Sequence, residues 1–68
     1  MIEIPMLKVF DLLDNRAFMD SVGELKDAGK LTVSKKYGAN LNDKALFIFL
    51  DKNDELVFKI KYGELIND

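Results

Sequence analysis

The chain has 68 residues without cysteine or histidine, which excludes disulfides, thiolate metal sites and histidine-based catalysis. Its 12 acidic and 10 basic residues give a net charge of −2, which disfavours nonspecific binding to nucleic acid. A hydrophobic content of 49% is enough for a folded protein, and the length predicts one small domain, residues 1–68. A core of this size is marginal, so association with a second chain is an expected source of support.

The sequence contains no membrane or export signal. No apolar run approaches the roughly 20 residues that span a bilayer, and the N-terminal segment lacks the basic region of a signal peptide. We therefore expect a cytoplasmic protein that does not act at a membrane. Its small size and Lys-rich, acidic composition would suit a bacterial or phage regulatory protein.

The N-terminal part predicts a strand followed by a helix. Residues 2–4 alternate in polarity and favour a short edge strand, and Pro5 suits the first turn of a helix. A stripe with helical spacing follows, formed by Met6, Val9, Phe10 and Leu13. Leu7 and Leu12 widen the apolar arc beyond half of the helix circumference, which is more than so small a fold is expected to cover.

A second helical stripe is narrower and is formed by Phe18, Val22, Leu25 and Ala28. Asp14 and Asn15 are suited to end the first helix and to cap the second. Because a capping box also begins at Ser21, the second helix has two possible starts. Whether residues 5–28 form one helix or two therefore stays open. Gly29 fits the position that follows a helix C-terminus.

The C-terminal half predicts strands. Residues 31–37 alternate and indicate a half-exposed edge strand. Residues 46–50 are apolar at every position, residues 56–62 mostly alternate, and residues 51–55 between them have the composition of a turn. We interpret these segments as a β-hairpin whose first strand is apolar on both faces. One face joins the core and consists of Phe47, Phe49, Phe58, Ile60 and Tyr62. The second face consists of Leu46, Ile48, Leu50 and Val57. Whether the tail, residues 63–68, covers this second face stays open.

The predicted order of helix, helix, strand, strand, strand implies an α+β fold. Two N-terminal helices would pack on a three-stranded antiparallel sheet that ends in the β-hairpin.

No pattern of catalytic, cofactor-binding or metal-binding residues occurs in the sequence. The serine and threonine hydroxyls have no histidine to activate them, and the glycines are too scattered for a phosphate loop. The segment from Asp51 to Glu55 resembles the start of a calcium loop, but Leu56 stands where that loop requires glycine. We therefore expect no enzyme activity, no cofactor and no metal ion.

The leading hypothesis is a non-catalytic protein-binding module. It would be a small regulator or stoichiometric inhibitor of a larger protein, or a homodimer, and the sequence does not separate these. The expected partner-binding residues are those of the second sheet face, followed by the two that widen the first helix: Leu46, Ile48, Leu50, Val57, Leu7 and Leu12.

The alternative hypothesis is a winged-helix-like DNA-binding regulator. Its second helix would enter the major groove, and the hairpin would form the wing. A locally basic segment, residues 30–44, would contact phosphates through Lys30, Lys35, Lys36 and Lys44. Two features oppose this hypothesis: the second helix carries exposed acids, and the predicted order lacks a third helix.

Overall fold

The computed structural model describes residues 1–39 and 42–66, which form an antiparallel sheet with helices packed on one face. The elements in chain order are β1 (Ile2–Pro5), α1 (Met6–Leu12), α2 (Arg16–Asp27), β2 (Leu31–Lys36), β3 (Lys44–Phe49) and α3 (Lys52–Ile66). The sheet has the strand order β1-β3-β2, so β3 is central and both neighbours are edges, as predicted for the first strand and for residues 31–37.

Two separate helices form between Pro5 and Gly29. The Asn15 side chain accepts a hydrogen bond from the Phe18 N–H (3.1 Å), which satisfies one of the free donors at the start of α2. The predicted cap at Asn15 is therefore confirmed, and α1 ends three residues before it.

The C-terminus of α2 is closed by Gly29, which has a φ of 72°. The Gly29 N–H donates to the Lys26 carbonyl (3.0 Å), and the Lys30 N–H donates to the Leu25 carbonyl (2.8 Å). This pair of hydrogen bonds is a Schellman motif, in which glycine avoids the strain of the left-handed conformation. The predicted position of Gly29 is confirmed, and the motif turns the chain directly into β2.

The predicted fold class is wrong in the C-terminal third of the chain. Residues 56–62 are not a strand, because Lys52–Ile66 forms the helix α3. The hairpin is instead made by β2 and β3, and the helices are not all N-terminal. The polar segment 51–55, predicted to be a turn, is the start of this helix. The Asp51 side chain accepts a hydrogen bond from the Asn53 N–H (2.8 Å), and Asp54 and Glu55 occupy the first turn of α3.

An aromatic cluster joins the sheet to α2 and α3. Phe18 on α2 lies with its ring centroid 6.2 Å from Phe47 on β3, 5.6 Å from Phe58 and 5.4 Å from Tyr62, both on α3. Phe58 also packs on Phe49 at 5.3 Å. These distances are typical of favourable aromatic pairs. The Tyr62 hydroxyl donates to the α2 backbone at Ala17 (3.1 Å) and bonds with Ser21, so it is buried without losing its polar partners.

The conformation of Gly29 yields a stability prediction. Gly29→Ala places a side chain in the left-handed region, and we expect a loss of about 1 kcal/mol in the free energy of unfolding. Gly23→Ala is the matched control, because Gly23 lies within α2 and an added Cβ meets nothing within 4 Å. This control should gain about 0.5–1 kcal/mol. Urea unfolding followed by circular dichroism measures both, and an equal effect of the two substitutions would contradict the assignment.

Candidate protein-interaction surfaces

Thirteen large apolar side chains in the described part of the chain are exposed to solvent. Seven of them, together with the half-buried Leu46, form three surfaces. The α1 surface consists of Leu7, Phe10 and Leu13. The outer sheet face consists of Leu46 and Ile48. The α3 surface consists of Leu56, Val57 and Ile60.

The α1 surface is the exposed side of a helix of two turns. Leu7 is 72% exposed, Phe10 59% and Leu13, at the helix end, 51%. Asp11 and Asp14 are exposed beside them, so the surface combines apolar side chains with negative charge. Such a composition is complementary to an apolar side chain cluster flanked by lysine or arginine.

Leu12 does not belong to this surface. It is 4% exposed and lies in the core, with Met6 and Val9 partly buried against the same cluster. The inward side of α1 therefore follows a three-residue spacing, from residue 6 to 9 to 12, which leaves Phe10 and Leu13 outside. The helix is so short that this spacing keeps all three inward residues on one side.

The outer sheet face lies opposite the helices. The pairing of β2 with β3 places Thr32 beside Ile48 and Ser34 beside Leu46. Ile48 is 42% exposed, and Leu46 is half-buried. Leu50 follows the end of β3 and is 84% exposed. The face is thus a narrow apolar strip with hydroxyl groups on its β2 side.

Val57 is not where the predicted hairpin placed it, and the position of the tail, which the sequence left open, is described as far as Ile66. Val57 is 60% exposed on α3, so it is separated from the outer sheet face by the change from strand to helix. The tail does not cover that face as far as Ile66, because residues 63–66 continue α3 and Ile66 is buried in the core. Residues 67 and 68 lie outside the described part of the chain.

The helix α3 is apolar on two opposite sides. Its inward side holds the buried residues Phe58, Tyr62 and Ile66. On the opposite side lies the α3 surface, where the Leu56 side chain is 56% exposed and the Ile60 side chain 77%. An ordinary surface helix has one apolar side, so a second apolar side is typical of a helix that is buried on more than one side. Among residues 1–39 and 42–66, the fold covers only the inner side of this helix.

An open groove of about 370 Å³ is lined by residues of α2 and α3. Apolar side chains form part of its wall, including Leu25, Val57 and Phe58, and charged side chains of both signs lie along it. Lys30, one of the four lysines predicted to contact phosphate, lines this groove. It is therefore separate from the other three.

Those other three lysines lie near the end of the hairpin where the chain passes from β2 to β3, each beside a carboxylate. Lys35 Nζ lies 3.7 Å from an Asp43 oxygen. Lys36 and Lys44 face each other across β2 and β3, and both contact Glu3 on β1, at 3.5 and 3.8 Å. Glu3 thus offsets the repulsion between two like charges on neighbouring strands.

The exposed side of α2 is predominantly acidic. Arg16 lies 4.0 Å from Asp20 one turn later, and Glu24 and Asp27 are exposed further along the helix. Lys26 is the remaining cation of α2. Phosphate groups would meet net negative charge along this helix.

Glu55 is the one acid among the described residues whose pKa is clearly shifted. The α-amino group of Met1 donates a hydrogen bond to its side chain and lowers the pKa of that carboxyl, with a smaller contribution from Lys59 (3.6 Å). Its negative charge lies in the first turn of α3, where the helix dipole favours it. Glu55 therefore stabilises the start of α3. Within residues 1–39 and 42–66, no group of three acids is placed to hold a metal ion.

Comparison with protein-family models, curated proteins and solved structures found no significant match. None of the helices in the described segments is long and apolar enough to cross a bilayer.

The sequence interpretation did not include four exposed residues of the three surfaces among the partner-binding residues. Phe10 and Leu13 belonged to the predicted inward stripe of the first helix, and Ile60 to the predicted core face of the hairpin; Leu56 was given no role. The spacing of Phe58, Tyr62 and Ile66 is the signal for α3, because one residue in four is the spacing of a helix side.

The two faces of β3 yield a second prediction. Ile48→Asp places a charge on the outer sheet face, and we expect a folded protein that loses about 1 kcal/mol through lower strand propensity. Phe47→Asp, one residue earlier, buries the charge in the aromatic cluster, and we expect loss of folding. Urea unfolding of both variants provides the test. Unfolding of the Ile48 variant would show that the outer sheet face is part of the core.

Proposed function

We propose that this protein is a non-catalytic binding module that regulates or inhibits a larger protein by direct contact. The observation that carries the proposal is the α1 surface, with Leu7 and Phe10 more than half exposed. Exposed apolar patches rimmed by polar residues are a common feature of protein-binding sites. Aromatic side chains, phenylalanine among them, are enriched at protein–protein interfaces, and Phe10 is such a side chain.

The charges beside the α1 surface limit the partner. Asp11 and Asp14 are exposed and lie next to the apolar side chains. A partner would therefore offer an apolar pocket or helix side with lysine or arginine at its rim. The favourable charge pairs would act mainly on the association rate and on partner choice, and the apolar contact would supply most of the affinity.

A paired substitution tests this proposal. Leu7→Ser with Phe10→Ser removes the apolar contact, and we expect loss of a stoichiometric partner that purifies with the tagged wild-type protein from its native host. Leu13 stays unchanged so that the α1 C-terminus is preserved. Because both substituted side chains are exposed, the free energy of unfolding should change by about 0.5 kcal/mol or less.

Met19→Ser with Lys26→Ala is the matched control, because both residues are exposed on α2 and lie outside the three apolar surfaces. This control should retain the partner. Photo-crosslinking from position 10 should label the same protein, and crosslinking from position 26 should not. Retention of the partner by the α1 variant, or equal labelling from both positions, would refute the proposal.

DNA binding is the second candidate, and one observation favours it. Helix α1, a three-residue turn and α2 are followed by the β2–β3 hairpin, and α3 supplies the third helix that the sequence interpretation lacked. A helix-turn-helix followed by a hairpin is a DNA-binding arrangement when its second helix fits the major groove. Fold alone does not assign function, and the acidic side of α2 places this candidate second.

The DNA candidate predicts salt-sensitive binding through the hairpin. Fluorescence anisotropy of labelled duplex DNA at 20 mM salt should rise with protein, and Lys35→Ala with Lys36→Ala should weaken binding roughly tenfold and reduce the salt dependence. Lys61→Ala with Lys52→Ala, on α3, is the charge-matched control. No rise in anisotropy at low salt would remove this candidate.

A further inference from the structure

The outer side of α3 carries one continuous ridge whose residues follow each other at four-residue intervals. In chain order these are Lys52, Leu56, Ile60 and Glu64. Leu56 is 56% exposed, Ile60 is 77% exposed, and both charged residues are exposed. Rows with this spacing are the ridges by which helices pack against one another. The ridge therefore has a basic end, an apolar middle and an acidic end.

This ridge is complementary to itself when it is reversed. In an antiparallel pair centred on the level of Phe58, Leu56 of one copy meets Ile60 of the other, and Lys52 meets Glu64 at both ends. A parallel pair would instead place Lys52 beside Lys52 and Glu64 beside Glu64. The charges thus specify one orientation and disfavour the other.

The helix dipole gives a second, independent argument. Lys52 is at the N-terminus of α3, where the dipole is positive, and Glu64 lies near the C-terminus, where it is negative. Both charges are unfavourable for the isolated helix, because each lies at the end of the dipole that has the same sign. The first turn also contains acids, but the last turn contains no basic residue. An antiparallel second copy reverses this, because each charge then lies beside the opposite end of the partner's dipole.

We propose that two copies of this chain associate as an antiparallel dimer through the Lys52–Leu56–Ile60–Glu64 ridge of α3. The interface is symmetric, with the same patch on both copies, as two-fold dimers require. Val57 lies beside the ridge and extends the apolar contact. The dimer uses α3 and leaves the α1 surface out, so this proposal goes beyond the proposed function, and either one can fail alone.

Sedimentation equilibrium from 1 µM to 1 mM tests the dimer. We expect the wild type to pass from monomer to dimer within this range, because a small interface gives modest affinity. Ile60→Asp should weaken association about a hundredfold, since it places two carboxylates in the apolar middle. Leu7→Asp, on the α1 surface, is the matched control and should leave association unchanged. A wild type that stays monomeric at 1 mM, or a dimer weakened equally by both substitutions, would overturn the proposal.

A charge exchange separates this arrangement from nonspecific association. Lys52→Glu alone creates two Glu–Glu pairs, and Glu64→Lys alone creates two Lys–Lys pairs, so each should weaken the dimer about tenfold. The double variant should restore association. Each single change also improves the match with the helix dipole, so the variants should not lose thermal stability as monomers. Unweakened single variants, or a double variant as weak as the single ones, would overturn the antiparallel arrangement.

Discussion

The position of Phe18 is the constraint on which the rest of this small structure depends. Its side chain is 2% exposed and contacts an aromatic ring of the sheet and two of α3. In a core with so few large residues, this contact fixes the distance between α2 and β3 and also the rotation of α3. The Asn15 cap and the Gly29 turn support it, because they define where α2 begins and ends. Loss of this one side chain would remove contacts of three elements at once.

Packing around one side chain also decides what the protein leaves exposed. Each helix has a single inward side, and the helices of the described residues all lie on the same face of the sheet. A chain of this length buries about 60% of the surface of its unfolded form, so its remaining apolar side chains have no internal place. The α1 surface, the outer sheet face and the α3 surface are the consequence. Their exposure costs stability in the isolated chain, and the association that we propose would offset that cost.

The sequence predicted the N-terminal elements well because their signals are local. Asn15 caps a helix by its own side chain, and Gly29 permits a conformation that other residues avoid. The alternation in β2 reflects two faces of one strand. The rotation of α1 was missed, since six apolar residues within eight positions leave its inward side undefined until the sheet is in place. The choice among the three surfaces likewise depends on tertiary packing, which no local pattern specifies.

The error in α3 has a physical cause that also bears on its role. One ridge at residues 58, 62 and 66 faces the core, and another at residues 52, 56, 60 and 64 faces outward. The two ridges are offset by two residues, or about 200° around the helix, so they lie on opposite sides. Interleaved in sequence, they give an apolar residue at every second position from 56 to 62, which is the pattern of a strand. A helix produces this alternation only when both of its sides are apolar. The feature that imitates a strand is therefore the same feature that leaves α3 with a second side to bury.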